Sequence, residues 1–205
     1  DAAALRTRVE RTNDTLKLTG TKAFISGGTY SDVYVVMCRT GGDGPKGIST
    51  VVVPSDASGL SFGGLEKKMG WKAQPTAQVQ FDACEVPAGN LLGDEGAGFS
   101  YAMEGLDGGR LNIAACSLGG AQAAFDIALQ YVGERRAFGS TLDGFQTIQF
   151  KLADMAMRLE AARVFLRQAA WAFDNGRHDA NKHCAMAKRF VTDVASDVAD
   201  DEIGR

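Results

Sequence analysis

The chain has only two histidines in 205 residues, His178 and His183, and both lie in a polar stretch. Hydrolysis by a serine, a histidine and a carboxylate needs an imidazole held in place, so that class is set aside. The four cysteines, Cys38, Cys84, Cys116 and Cys184, form no Cys-x-x-Cys pair. Three sit among apolar neighbours, as small core residues do. This fits a reducing compartment better than a disulfide-stabilised secreted fold. His178 and His183 lie near Cys184, but a spacing of five puts the imidazoles on different helix faces. No carboxylate completes a set there, and a metal centre is not expected. No apolar run approaches the roughly 18–20 residues that span a bilayer, and no secretory signal opens the chain at Asp1. A formal net charge of −3 gives no electrostatic reason to expect nucleic acid or an anionic membrane as partner.

The usual nucleotide signatures are also missing. Gly96-Ala97-Gly98 begins a Gly-x-Gly-x-x-Gly but has Tyr101 where the last glycine belongs, and no buried parallel strand leads into it. There is no Walker-type loop and no Gly-x-Ser-x-Gly elbow.

Hydrophobic residues make up 45% and charged residues 23% of the sequence, ordinary for a globular protein with one large core or two small domains. The first half is punctuated by glycine and alternates with period two. Thr15-Leu16-Lys17-Leu18-Thr19 alternates cleanly and Gly20 follows it, and Phe24-Ile25-Ser26 ends at Gly27-Gly28. Val33–Cys38 runs into a glycine-rich loop, Ser49–Val53 stops at Pro54, and Gln78–Asp82 alternates again. Short strands between turn signals predict an antiparallel sandwich or barrel. In the second half Ile148, Leu152, Met155, Leu159, Ala162, Leu166, Ala169 and Phe173 follow at steps of four and three. They predict a helix from about Phe145 to Asp174, buried along one face of an antiparallel bundle and ended by Asn175-Gly176. A further helix is expected from about Asp179 towards Ala199. The fold class is α+β in sequence order, with a β-domain over residues 1–95 and an up-down helical bundle over 96–205.

Four groupings are candidates for chemistry. Asp107-Gly108-Gly109-Arg110 sits between good helix-forming stretches, and each glycine costs roughly 0.8–1 kcal/mol against alanine inside a helix. Taken alone the tetrapeptide reads first as an interhelix turn or a kink. The functional alternative is a ligand that needs close approach to bare backbone. Phe24 and Ser26, two apart on one strand, would share a face. An aromatic and a hydroxyl there could stack a flat heterocycle and hydrogen-bond its edge, although such a pair is more often an ordinary strand end. Arg135 and Arg136 close a helix beside Phe138, where compensation of the helix dipole explains them as well as a ligand does. Phe145-Gln146 opens the next helix after Gly144, where free N–H groups could meet a phosphate.

Taken in order, these segments resemble the acyl-CoA dehydrogenase family over nearly the whole chain, from Asp1 to about Ala199. Asp1-Ala2-Ala3-Ala4-Leu5 resembles the tail of its Gly-Ser-Asp loop, and Leu18–Ser26 its flavin-side strand. Glu134-Arg135-Arg136-Ala137-Phe138-Gly139, then Phe145-Gln146 and Leu152–Ala156, resemble its most diagnostic helical stretch. Glu66–Thr76 and Gly108–Gly119 look most like the branch acting on isobutyryl-CoA. The resemblance implies an FAD enzyme that oxidises a short branched acyl-CoA to its 2,3-enoyl-CoA and passes electrons to an electron-transferring flavoprotein. It implies Phe24 against the isoalloxazine, Ser26 near flavin N5 and Ile25 in backbone contact between them. Arg135 would meet the FAD pyrophosphate, with Phe138, Phe145 and Gln146 around the adenosine end in a neighbouring subunit of a homotetramer. Asp107, Gly108, Gly109 and Arg110 would bind the CoA substrate. The compartment would be the cytoplasm in a bacterium or the mitochondrial matrix in a eukaryote.

The chain departs from that pattern at both ends. The family's N-terminal helical domain and the serine of its Gly-Ser-Asp loop do not appear. Asp200–Arg205 stands where a Gly-Gly-x-Gly loop and a later glutamate-bearing segment would follow. Glu202 does not sit in that motif and is not assigned as the base. Gly109 fills the position before Arg110 where some relatives carry their catalytic glutamate. The 205 residues alone are therefore expected to be inactive. Alternative readings are an acyl-CoA oxidase or flavin monooxygenase of the same fold, or an assembly module without flavin.

Overall fold

In the computed structural model, which describes residues 2–202, Asn13 and Asp14 set the first strand pairing. Asn13 takes a left-handed φ of 51°, which asparagine tolerates, and joins β1 (Arg8–Thr12) to β2 (Thr15–Ser26) by a two-residue turn. Asp1 and the Ile203-Gly204-Arg205 end, both drawn on in the sequence reading, lie outside the described residues, as does the Glu202 side chain. Gly20 does not end the strand. β2 is a single twelve-residue strand, because glycine lets the backbone pass at φ 146° where a Cβ would come 2.8 Å from Thr7 Cα.

Five more strands complete the sheet: β3 (Val33–Arg39), β4 (Ile48–Pro54), β5 (Leu60–Leu65), β6 (Thr76–Pro87) and β7 (Leu91–Leu92). Their order is β5-β6-β2-β1-β3-β4-β7. All neighbours are antiparallel except β1 and β3, which meet in parallel at Arg8 and Arg39. The expected antiparallel barrel or sandwich is thus one mixed sheet, since the chain leaves β2 and crosses to the far side of β1 before forming β3. The sheet curls strongly. Tyr34 on β3 and Phe62 on β5 are four strand positions apart, yet their ring centroids lie 5.5 Å apart, against roughly 19 Å for a flat sheet. Leu18, Val51, Val53 and Val79 are fully buried inside the curl, each stabilising the fold by about 1.5–3 kcal/mol.

The second half folds as α1 (Gly98–Glu134), a short hairpin β8 (Arg136–Ala137) and β9 (Ser140–Thr141), α2 (Gln146–Asp174) and α3 (Ala180–Glu202). Ala114 and Leu118 of α1, Met155 and Leu159 of α2, and Val191 and Val198 of α3 share one core. In the expected α2 stripe Met155, Leu159, Ala162 and Ala169 are buried, and Ile148, Leu152 and Leu166 are half-buried. Its last step is three residues rather than four, so Ala172 is buried and Phe173 is 37% exposed. Gly176 then ends the helix at φ 59°, its N–H donating to Phe173 O and that of Arg177 to Ala172 O. The chain divides into two units, Asp1–Met103 and Glu104–Arg205. Among the described residues no helix is long and apolar enough to cross a membrane.

Candidate functional site

The end of β2 is irregular where the sequence reading assumed plain alternation. Lys22 pairs with Val79 and Ile25 with Ala77, so Ala23 and Phe24 together face one residue of β6 and form a bulge. Phe24 carries it at φ 56°, a left-handed conformation that costs a non-glycine residue roughly 1–2 kcal/mol. Its ring is 74% exposed. Ser26 is exposed as well, while Ile25 packs against the sheet core. Downstream the chain is held firmly: Gly27 N–H donates to Pro75 O at 2.9 Å, and Tyr34 Oη donates to Gly27 O at 3.2 Å.

A second irregularity follows α1. Phe138 and Gly139, at φ 51° and 85°, form the two-residue turn between β8 and β9. Such turns prefer asparagine, aspartate or glycine at both positions. Phenylalanine there is strained, and its ring is 98% exposed. It meets Phe145 edge-on at 6.4 Å. Leu142 N–H donates to Arg135 O at 2.9 Å, which brings the exposed Arg135 beside the same loop. Phe145 is the N-cap of α2 and makes no side-chain cap. Its carbonyl takes the N–H groups of Ile148 and Gln149, which leaves Gln146 at the open, positive end of the helix. Arg135, Phe138, Phe145 and Gln146 therefore form one local patch of guanidinium, aromatic rings and free helix N–H groups. Phe24, Ile25 and Ser26 form another, in the first unit.

Asp107-Gly108-Gly109-Arg110 does not interrupt a helix. α1 runs through it unbroken from Gly98 to Glu134. Arg110 Nη1 donates to Asp107 Oδ1 at 2.5 Å within one turn, and Asn181 Nδ2 of α3 donates to both carboxylate oxygens at 2.9 and 3.0 Å. Those contacts, with Ala114, Leu118 and Ala121 in the core, carry the helix past its two glycines. Sequence reasoning missed Asn181, since nothing local links residues 74 positions apart. Among the described residues nothing would lie within 4 Å of a Cβ at Gly108 or Gly109, so bare helix backbone is open to a ligand there.

These patches fit a flavin nucleotide. The exposed rings offer stacking surfaces, and Arg135 with the α2 N-terminus offers the charge a pyrophosphate needs. Each of the two units thus carries one exposed patch whose chemistry suits a flavin nucleotide. Residues 1–84 match the family model described as the acyl-CoA dehydrogenase middle domain, and residues 96–203 that of the acyl-CoA dehydrogenase C-terminal domain. The chain belongs to the acyl-CoA dehydrogenase family, whose members are FAD-dependent flavoproteins and typically tetramers. It is 55% identical over 193 residues to mitochondrial isobutyryl-CoA dehydrogenase of Bos taurus, covering 94% of this chain and 46% of the relative. Against the Dictyostelium discoideum enzyme of that name the identity is 50% over 204 residues, covering 99% and 49%. The structure of butyryl-CoA dehydrogenase from Megasphaera elsdenii superposes with a TM-score of 0.95 at 40% identity, covering 99% of this chain and 53% of that one. The chain thus spans about half the length of the relatives it matches.

Proposed function

We propose that this chain carries the flavin-binding and thioester-binding elements of an enzyme that oxidises a short branched acyl-CoA, isobutyryl-CoA foremost, to the 2,3-enoyl-CoA. One observation carries the reading: Phe24 and Phe138 both hold strained left-handed backbone while presenting exposed rings. Neither ring returns the strain through core packing, and strain of this kind persists where it serves a site.

Phe24 lies against the isoalloxazine, Ser26 Oγ donates a hydrogen bond near N5, and the Ile25 backbone makes contact between them. Arg135 pairs with the FAD pyrophosphate, and Phe138, Phe145 and Gln146 enclose the adenosine end, reached across a subunit boundary in a homotetramer. When bound, FAD supplies the acceptor for the hydride leaving the substrate β-carbon. The bare backbone at Gly108 and Gly109 admits the CoA thioester, and Asp107, fixed by Asn181, holds Arg110 ready beside it. Gly109 offers no carboxylate to the α-proton, so the base is a glutamate placed elsewhere. Electrons leave to an electron-transferring flavoprotein.

The test is a substrate panel on the whole enzyme containing this chain, with that flavoprotein or a dye as acceptor. Isobutyryl-CoA should give the highest kcat/KM among isobutyryl-, 2-methylbutyryl-, butyryl- and isovaleryl-CoA. A preference for butyryl-CoA would remove the branched substrate, and protein without flavin absorbance would remove the whole reading.

A further inference from the structure

Asp107 keeps only 15% of its side chain exposed, and two helices satisfy it. From its own helix, Arg110 Nη1 donates to Oδ1 at 2.5 Å. From α3, Asn181 Nδ2 donates to both oxygens, Oδ1 at 2.9 Å and Oδ2 at 3.0 Å. The two partners differ in kind. Arg110 brings a charge on a long stem, its side chain 34% exposed, and among the described residues its remaining N–H groups meet no acceptor. Asn181 brings a neutral amide on a short stem, from a turn that is pinned in place. Ala180 N–H donates to Arg177 O and His183 N–H to Asp179 O, while Arg177 grips the Asp179 carboxylate at 2.9 and 3.1 Å. Cys184, three residues beyond Asn181, is fully buried.

The guanidinium is therefore the partner free to leave, and the amide is the one that stays. Room for the movement is present, because Gly108 and Gly109 put no Cβ beside Arg110. Among the described residues nothing lies within 4 Å of where either Cβ would be. Stripping a largely buried charge of its sole partner is strongly unfavourable, so a carboxylate held by Arg110 alone would detain it. With Asn181 on both oxygens, Asp107 keeps a charge-assisted hydrogen-bond donor after the guanidinium has turned away.

We propose that Asn181 is a positioning residue for the substrate. It holds the Asp107 carboxylate so that Arg110 exchanges Asp107 for an acceptor oxygen of the acyl-CoA as that ligand settles on the open backbone at Gly108 and Gly109. The identity of the ligand rests on the function proposed above, and the exchange rests on the contacts of Asp107.

Two readouts on the whole enzyme containing this chain test it. The first is stability to denaturant, which needs no substrate. Arg110→Ala should lower the unfolding midpoint roughly twice as far or more in an Asn181→Leu background as in the parent, because only there is Asp107 stranded. Equal losses in the two backgrounds would overturn the holding role. The second readout is the kinetics with isobutyryl-CoA. Asn181→Leu ties Arg110 to Asp107, so KM should rise roughly tenfold while kcat stays within about twofold. Adding Asp107→Asn to Asn181→Leu removes the charge that detains the arginine, and KM should return to within about threefold of the parent. A residue that merely packed α3 on α1 would give losses that add instead. A KM within about twofold of the parent in Asn181→Leu, or no recovery in the double variant, would overturn the exchange. If the parent oxidises no acyl-CoA while the stability losses stay coupled, the proposed activity fails and the holding role of Asn181 stands. If acyl-CoA is oxidised and the losses simply add, the activity stands and this proposal fails.

Discussion

Glycine means different things in the two units of this molecule. In the sheet unit several glycines are dictated by the fold. Gly59 sits at φ 83° where a Cβ would run into the Asp82 carbonyl oxygen, and at Gly98 a Cβ would lie 2.5 Å from the Ser49 carbonyl carbon. Along α1 beyond Gly98, within the helical unit, the reverse holds. Gly105, Gly108, Gly109, Gly119 and Gly120 would each accept a Cβ with nothing within 4 Å among the described residues. Five such glycines cost the helix roughly 4–5 kcal/mol against alanine. Nothing inside the helical unit requires them, so what keeps them lies outside it: a ligand or another surface. A second division, between residues rather than units, runs through the left-handed positions. Asn13 turns a hairpin with a residue suited to it, whereas Phe24 and Phe138 hold that conformation against their chemistry.

The largest effect that would test this division is Gly59→Ala. Positive φ and a backbone clash together should cost about 4 kcal/mol, read as a lower denaturant midpoint. A near-neutral result would break the comparison at its root. Leu159→Ala comes next. Leu159 is 2% exposed in the interhelix core, and truncation should cost about 3 kcal/mol. Equal stability in that variant would mean that packing between the helices is not what holds α1 past its glycines.

Much of this was legible in the sequence, for reasons that differ by residue. The α2 stripe was readable because Met155, Leu159, Ala162 and Ala169 repeat at the helical period, a local signal. Strands β1 and β5 were not named beforehand. Arg8–Thr12 is short and mostly charged or polar, and Leu60–Leu65 contains two glycines, so neither shows clean alternation. The parallel meeting of β1 and β3 rests on a chain crossover that no local pattern records. The candidate residues Phe24, Phe138 and Asp107 were found by resemblance and by composition. Their physical peculiarities were not: a bulge, a strained turn and a partner 74 residues away are all set by tertiary pairing.

Gly109→Ala is the substitution that sharpens the comparison most, because its two consequences have opposite signs. Stability should rise by about 1 kcal/mol, the helix propensity difference, measured by chemical denaturation. In the whole enzyme KM for the acyl-CoA should rise, because a methyl group now stands on backbone left open for the thioester. A variant that is more stable and fully competent would show that the open glycine serves no ligand.

The smallest effect uses the cysteines to ask which unit opens. Cys116 on α1 is exposed, while Cys38 and Cys84 in the sheet unit and Cys184 in the helical unit are buried. Thiol labelling of the native protein should therefore stop at one equivalent, on Cys116. In Gly59→Ala, Cys38 and Cys84 should label faster while Cys184 lags, and in Leu159→Ala the order should invert. Burial pushes the Cys38 thiol from its usual 9.0 up to about 11. The unfolded chain thus releases this proton first as pH rises, and folded stability from this group falls between about pH 9 and 11. Lys22, itself desolvated so that its pKa is lowered, lies close enough to temper the shift. A Cys38→Ala chain should lose less stability than the parent across that alkaline window. Identical pH curves for the two would show that the sheet unit opens there before its buried thiol is felt.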